Sequence, residues 1–176
     1  DMIIDHVANT SGDRTKPFQF LTSAISYDNY IGKIGTGKIH NGSVRTGDSV
    51  TLIKRDGPPE NYRITKILTY EGINRVELKE AFAGDIVSLA GMDTIDVGET
   101  VTDPEHPEDL PAIDIDKPTV AMTFMVNNSP FAGREGKFVT SRNIWDRLMK
   151  ELQTNVGIVV EPTDAPDSFI VKGRGE

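Results

Sequence analysis

Between Phe18 and Thr102 the apolar residues fall in short runs, FQFLTSAIS, IGKIGTGKIH, SVTLIK, NYRITKILTY and DIVSLA, each closed by Gly, Asn or Asp. Period-two alternation broken at such short intervals predicts antiparallel strands closed into a barrel or sandwich. Three echoes reinforce this: Gly47-Asp48-Ser49-Val50, Gly84-Asp85-Ile86-Val87 and Gly98-Glu99-Thr100-Val101 each set a glycine and an acid immediately before an expected strand. Glycine supplies the turn and the branched residues resume the sheet, so these acids read as strand entrances rather than catalytic groups.

The text then changes. Residues 103–118 combine four prolines with six acids and no base before Lys117, which predicts an extended linker. TVAMTFMV follows, alternating Val120, Met122, Phe124 and Val126 against Thr119, Ala121, Thr123 and Met125, as a strand with one buried face would. After the loop NNSPFAGREG, Thr140 or Ser141 can cap a helix whose Ile144, Trp145, Leu148, Met149 and Leu152 share a face. GIVVE, a turn and SFIVK complete a β-α-β-β order. A split β-α-β fold normally adds a second helix and a fourth strand, so one sheet face is expected to lack part of its cover. An uncovered edge of that kind also suits pairing between copies in a crystal. At the other end, DMIIDHV places Met2, Ile3 and Val7 near one helical face before the breakers of residues 8–17. The expected divisions are a helix remnant at 1–14, a β-barrel at 15–102, the linker at 103–118 and a partial α+β domain at 119–176.

Charge alters the picture by its distribution. The net charge is −8, but residues 1–98 carry 11 basic and 13 acidic groups, 99–116 carry seven acids and no base, and 117–176 carry eight bases and seven acids. The acidity is therefore concentrated in the linker, where it reads as solvation or as a shield against phosphate. Two stretches are locally basic: Lys33 to Arg45, with Lys38 and His40 and no acid, and Arg134 to Lys150, with five bases and two acids. Such loops suit sequence-independent contact with RNA phosphates. On the helix, Asp146 lies four residues from both Arg142 and Lys150, and Arg147 four from Glu151, so mutual pairing also accounts for those charges.

Catalytic apparatus is hard to find. Gly32 to Ile39 matches the phosphate-loop pattern Gly-x4-Gly-Lys, but Ile39 stands where a magnesium-binding Ser or Thr is required, and the following IHNGSV reads as strand and turn. No Asp-x-x-Gly or Asn-Lys-x-Asp occurs. With no cysteine, a disulfide scaffold, a thiolate metal site and a thiol nucleophile are excluded. His6, His40 and His106 show no metal-ligand spacing. There is no run of about 18 apolar residues to span a bilayer.

SAISYDNYIGKIGTGKIHNGSVRTGDSVTLI resembles the second, β-barrel domain of translational GTPases such as elongation factors Tu and G. SPFAGREGKFVTSR at 129–142, WDRLMKEL and the terminal GRGE are similar to the third domain of the BipA/TypA family of ribosome-associated GTPases. The resemblance implies a translation-factor-type barrel followed by an incomplete ferredoxin-like domain, from a chain beginning after the GTP-binding domain, whose last helix DMIIDHV resembles. It implies no enzyme activity or cofactor in this stretch, GTP and magnesium belonging to the missing domain, and a role in ribosome assembly or stress-conditioned translation. The partners it implies are small-subunit rRNA, ribosomal proteins and the parent's own GTP-binding and C-terminal domains, in a bacterial cytoplasm or a plastid. The RNA candidates are Lys33, Lys38 and Arg45, near one barrel loop, with Arg134, Lys137 and Arg142. Ser129, Phe131, Gly133, Gly173 and Arg174 are the candidates for interdomain packing, in a second reading where the chain relays nucleotide state.

Overall fold

The computed structural model describes residues 12–111 and 118–174, apart from 56, 132, 133, 135, 137 and 156. The expected helix at the start of the chain, Lys137 and Gly133 lie outside the described residues. The chain divides into two compact units, Asp1–Asp114 and Ile115–Glu176.

The first unit is built of ten strands: β1 (Gln19–Asp28), β2 (Gly32–Asn41), β3 (Ser43–Arg45), β4 (Ser49–Ile53), β5 (Glu60–Arg63), β6 (Lys66–Glu71), β7 (Asn74–Leu78), β8 (Glu80–Phe82), β9 (Ile86–Ala90) and β10 (Thr100–Thr102). Eight form one antiparallel sheet in the order β5-β4-β10-β1-β2-β9-β6-β7, while β3 and β8 pair separately. The sheet wraps around Phe20, Ile39, Leu52, Ile64, Ile67, Leu89, Met92, Ile95 and Val101, all fully buried. This is the mainly β architecture that the alternation predicts.

The glycines of β2 have a specific job. A Cβ at Gly37 would lie 1.9 Å from the Leu21 carbonyl oxygen, and one at Gly35 would lie 2.5 Å from Ile95 Cδ1. The Gly-x-Gly spacing thus lets β2 close onto β1 and onto the core. A register shift in β1 between Thr22 and Ala24, opposite these glycines, marks where the pair bends.

The three Gly-acid echoes are one turn used three times. Gly47, Gly84 and Gly98 have φ of 96°, 100° and 82°, and β4, β9 and β10 begin two residues later. In each turn the acid's N–H donates to the carbonyl three residues back: Asp48 to Arg45 (3.1 Å), Asp85 to Phe82 (3.0 Å) and Glu99 to Asp96 (3.3 Å). Its carboxylate accepts the N–H of that same residue, at 2.8, 2.9 and 2.8 Å. Positive φ selects glycine, and the acid closes the ring from both sides.

Part of the stretch expected as an extended linker is bound to the barrel. Asp103 N donates to Phe18 O at 3.0 Å, Gln19 Nε2 to Glu108 O at 3.3 Å, and Thr100 Oγ1 to Asp109 Oδ1 at 2.7 Å. Leu110 N returns a bond to Thr100 Oγ1 at 3.1 Å. Hydroxyls and an amide on β1 and β10 satisfy backbone groups that prolines elsewhere in the segment deprive of local partners.

The second unit has β11 (Val120–Met125), α1 (Ser141–Leu152), β12 (Val159–Pro162) and β13 (Ser168–Gly173), with sheet order β11-β13-β12. First and second strands thus run parallel on either side of the third, the arrangement of a split β-α-β unit. Thr140 caps α1, its Oγ1 accepting Asn143 N–H at 3.3 Å, and Trp145 rests on Phe169 with ring centroids 5.2 Å apart. The expected buried faces are only partly covered. Every residue of β11 is exposed and α1 buries none fully, because the helix meets the sheet at Phe169 and leaves a groove of about 510 Å³ between Phe124, Phe138, Ile144 and Leu148.

Close approach and turn geometry separate under mutation. Gly37→Ala should cost more than about 3 kcal/mol, since the new methyl meets backbone, whereas Gly47→Ala, with open space at its Cβ, should cost about 1–2 kcal/mol of backbone strain alone. Urea unfolding of both variants checks this, and equal losses would contradict it. Burial pushes the Glu99 carboxyl above its ordinary value, against the hydrogen bonds of the Asp96 and Arg55 N–H groups. A raised folded value means that the contribution to stability is present at low pH and is lost as pH rises through it. The stability of the protein relative to Glu99→Gln should therefore fall as pH rises above the ordinary glutamate value of about 4.3. A difference that does not change with pH would be the contrary result.

Candidate functional site

The phosphate-loop-like stretch is strand. Gly32–Lys38 pairs with β1 along its length and with β9 from Ile34 onward, so its N–H groups face neighbouring strands in place of the cradle before a helix that a nucleotide needs. This stretch does not form a phosphate loop, and among the described residues no three His, Cys, Asp or Glu side chains gather as a metal site.

The three barrel cations do not share one loop. Lys33 stands opposite Tyr27 at the β1–β2 turn and Lys38 opposite Leu21 and Ile86. Five residues apart on a regular strand, they point to opposite faces, about 17 Å apart along it. Arg45 lies on the separate β3–β8 ribbon, where Nε and one terminal nitrogen each sit 2.9 Å from Glu80 Oε1. That carboxylate holds the guanidinium's pKa above its ordinary value. Beside Lys38, His40 is kept below the ordinary imidazole value, first by partial burial and then by the lysine's charge.

In the second unit, Arg134 is brought over the Phe131 ring, 5.0 Å from its centroid, in an exposed loop that opens with an Asn127 side chain accepting Ser129 N–H at 3.0 Å. Arg142 is 90% exposed and only 3.9 Å from Asp146, while Arg147 binds Glu151 at 2.7 Å. The i,i+4 pairing read from the helix sequence is therefore present, and it leaves Arg142 nearly as accessible as a lone side chain. Gly173 pairs with Val120 and Arg174 follows it. That places the Gly173 turn at the opposite end of β11 from the loop holding Ser129 and Phe131, so the interdomain candidates form two separate groups.

The reading by charge misses a group of exposed aromatic and aliphatic residues at two barrel turns. Tyr30 is 99% and Ile73 95% exposed, and Tyr27 and Tyr70 are also well exposed. The signal is present in the sequence: large apolar residues flank the turn residues Asp28-Asn29 and Glu71-Gly72, where polar side chains are the norm.

Known proteins place these units. Residues 32–102 match the family described as elongation factor Tu domain 2. Over its full 176 residues the chain is 48% identical to the large ribosomal subunit assembly factor BipA of Bacillus subtilis and 49% identical to that of Synechocystis sp.. Over 174 residues it is 47% identical to that of Escherichia coli K12. A crystal structure from Thermus thermophilus superposes with a TM-score of 0.66 over 92% of this chain and 23% of that one; at 18% identity it shares the fold. The chain spans 29–30% of the length of those curated relatives. It belongs to the BipA family, and its barrel is the translation-factor second domain of that family.

Proposed function

We propose that these units are the ribosome-docking portion of a BipA-type assembly factor, acting in ribosome assembly or stress-conditioned translation, in the cytoplasm of a bacterium or in a plastid. The observation that carries this reading is the unbroken match, at nearly half identity, between the whole chain and proteins named as ribosomal subunit assembly factors. GTP and magnesium are handled by the parent's GTP-binding domain, consistent with the Gly-rich stretch being a barrel strand.

Docking works through cations that reach phosphate without giving up a strong partner. Arg134, steadied on Phe131, and Arg142, almost fully solvated, meet that requirement with Lys137 between them in sequence. Arg45 serves first as a brace to Glu80. Small-subunit rRNA and neighbouring ribosomal proteins are the partners this reading assigns.

Structural coupling, through the 127–138 loop and the Gly173 turn, is a second reading, favoured by one observation: Phe131 and Phe138, 66% and 78% exposed, give that loop apolar side chains suited to another protein domain. In it, the loop packs on the parent's GTP-binding domain and relays its nucleotide state.

Sedimentation with ribosomal subunits separates the two. Replacing Arg134 and Lys137 by Glu should weaken binding and reduce the salt slope by about one for each lost phosphate contact. Unchanged binding removes these residues from the docking account. If coupling holds, adding this chain to the isolated GTP-binding domain changes GTP turnover, and Phe131→Ala cancels the change. A turnover rate indifferent to the chain rules coupling out.

A further inference from the structure

The β1–β2 turn and the β6–β7 hairpin meet on the outer face of the barrel. Ile31 packs on a small cluster of Ile34, Leu68 and Ala90, separate from the main core. Leu68 and Tyr70, two residues apart on β6, share this outer face. Tyr70 stands directly opposite Arg75 in the hairpin. Arg75 Nε donates to the Tyr70 hydroxyl at 2.8 Å, with the guanidinium carbon 5.6 Å from the ring centroid. Asp28 connects the two turns. Hydrogen bonds from the Tyr30 and Ile31 N–H groups, at 2.8 and 3.1 Å, together with the charges of Arg75 and Lys66, hold its carboxyl below the ordinary value.

The resulting surface pairs ring faces with a cation. Tyr30 projects into solvent at 99% exposure and Ile73 caps the hairpin at 95%, so neither side chain is retained by packing. Lys33, opposite Tyr27 and next to Ile34 on β2, alternates to the other face of the sheet and takes no part in this surface. The carboxylates here are largely engaged: Asp28 accepts two backbone N–H groups, and Glu77 holds Lys66 at 3.2 Å. Three of the chain's four tyrosines lie in these two hairpins, on a protein whose interior uses aliphatic residues and phenylalanine.

We propose that the turns at 28–32 and 71–74 form a stacking surface for unpaired bases of RNA, with Tyr30 and Tyr70 offering ring faces and Arg75 meeting an adjoining phosphate. Aromatic rings interleaved with cations recognise looped or single-stranded nucleic acid, because every unpaired base has a π-face and every nucleotide carries a phosphate. The Arg75–Tyr70 hydrogen bond fixes the ring before binding, which lowers the ordering cost. The inference rests on the docking reading and supplies the barrel contact that Lys33, Lys38 and Arg45 do not make as a group.

The test uses the full 176-residue chain and purified small ribosomal subunits, with Ile73 replaced by the photocrosslinker p-benzoylphenylalanine and, separately, the variants Tyr30→Ala, Tyr70→Ala with Arg75→Ala, and Glu71→Gln. The expected results are a crosslink to rRNA, a loss of at least about fivefold in affinity for each tyrosine that stacks a base, and tighter binding at low salt for Glu71→Gln. Tyr30, being fully exposed, can be replaced without disturbing the fold. A crosslink confined to ribosomal proteins, or undiminished binding by Tyr30→Ala and the Tyr70/Arg75 variant, overturns the stacking surface while leaving docking intact. Failure of the unsubstituted chain to bind subunits defeats the docking reading itself, and this inference with it.

Discussion

The first unit turns on how closely two strands can approach. Where β2 passes Leu21 there is no room for any side chain at position 37, and two residues earlier Ile95 fills the space that a side chain at 35 would take. Closure there brings Phe20 and Ile39 into one core with Leu89 and Val101. It also sets the outer face, because fixing β2 against β1 and β9 fixes the direction of Lys33, Lys38 and Ile34. The repeated Gly-acid turns then deliver β4, β9 and β10 to their places with the same local chemistry each time.

The second unit stands on far less. Phe169 is its one buried large hydrophobic residue among those described, and the contact between Trp145 and Phe169 joins helix to sheet. A face bearing Val120, Met122 and Phe124 remains exposed beside the helix. Burying such a side chain is worth about 1.5–3 kcal/mol, so this unit draws much less from its own packing than the barrel does. Its loop cations are correspondingly presented by a small scaffold, with Arg134 steadied chiefly by the Phe131 ring.

Strand positions and turn glycines were legible in the sequence because both are local. Alternation marks a strand over five residues, and Gly47, Gly84 and Gly98 announce positive φ within a four-residue turn. The features that escaped depend on distant partners. Nothing near Asp109 or Leu110 shows that Thr100 will bind them, so a proline-rich acidic segment reads as an extended linker. Gly32 and Gly37 match a phosphate-loop pattern that Ile39 already argues against, but the sequence does not show that Gly37 is needed for the close approach of Leu21. Lys33, Lys38 and Arg45 look like one basic patch along the chain, and strand alternation and the separate β3–β8 ribbon disperse them. Trp145, Ile144 and Leu148 mark the right helix face, and the β-α-β-β order already points to a sheet face short of cover, as the exposed β11 shows. The exposed tyrosines were visible as apolar residues at turns, a signal that charge counting passes over.

The central claim is that these units bind ribosomal particles electrostatically through exposed loops. Cosedimentation of the unsubstituted chain with isolated ribosomal subunits, from about 50 to 200 mM monovalent salt, tests it most directly. The account predicts saturable binding at the lower salt that falls steeply, as phosphate-directed contacts must. Absence of binding across the whole range, or binding indifferent to salt, would contradict it.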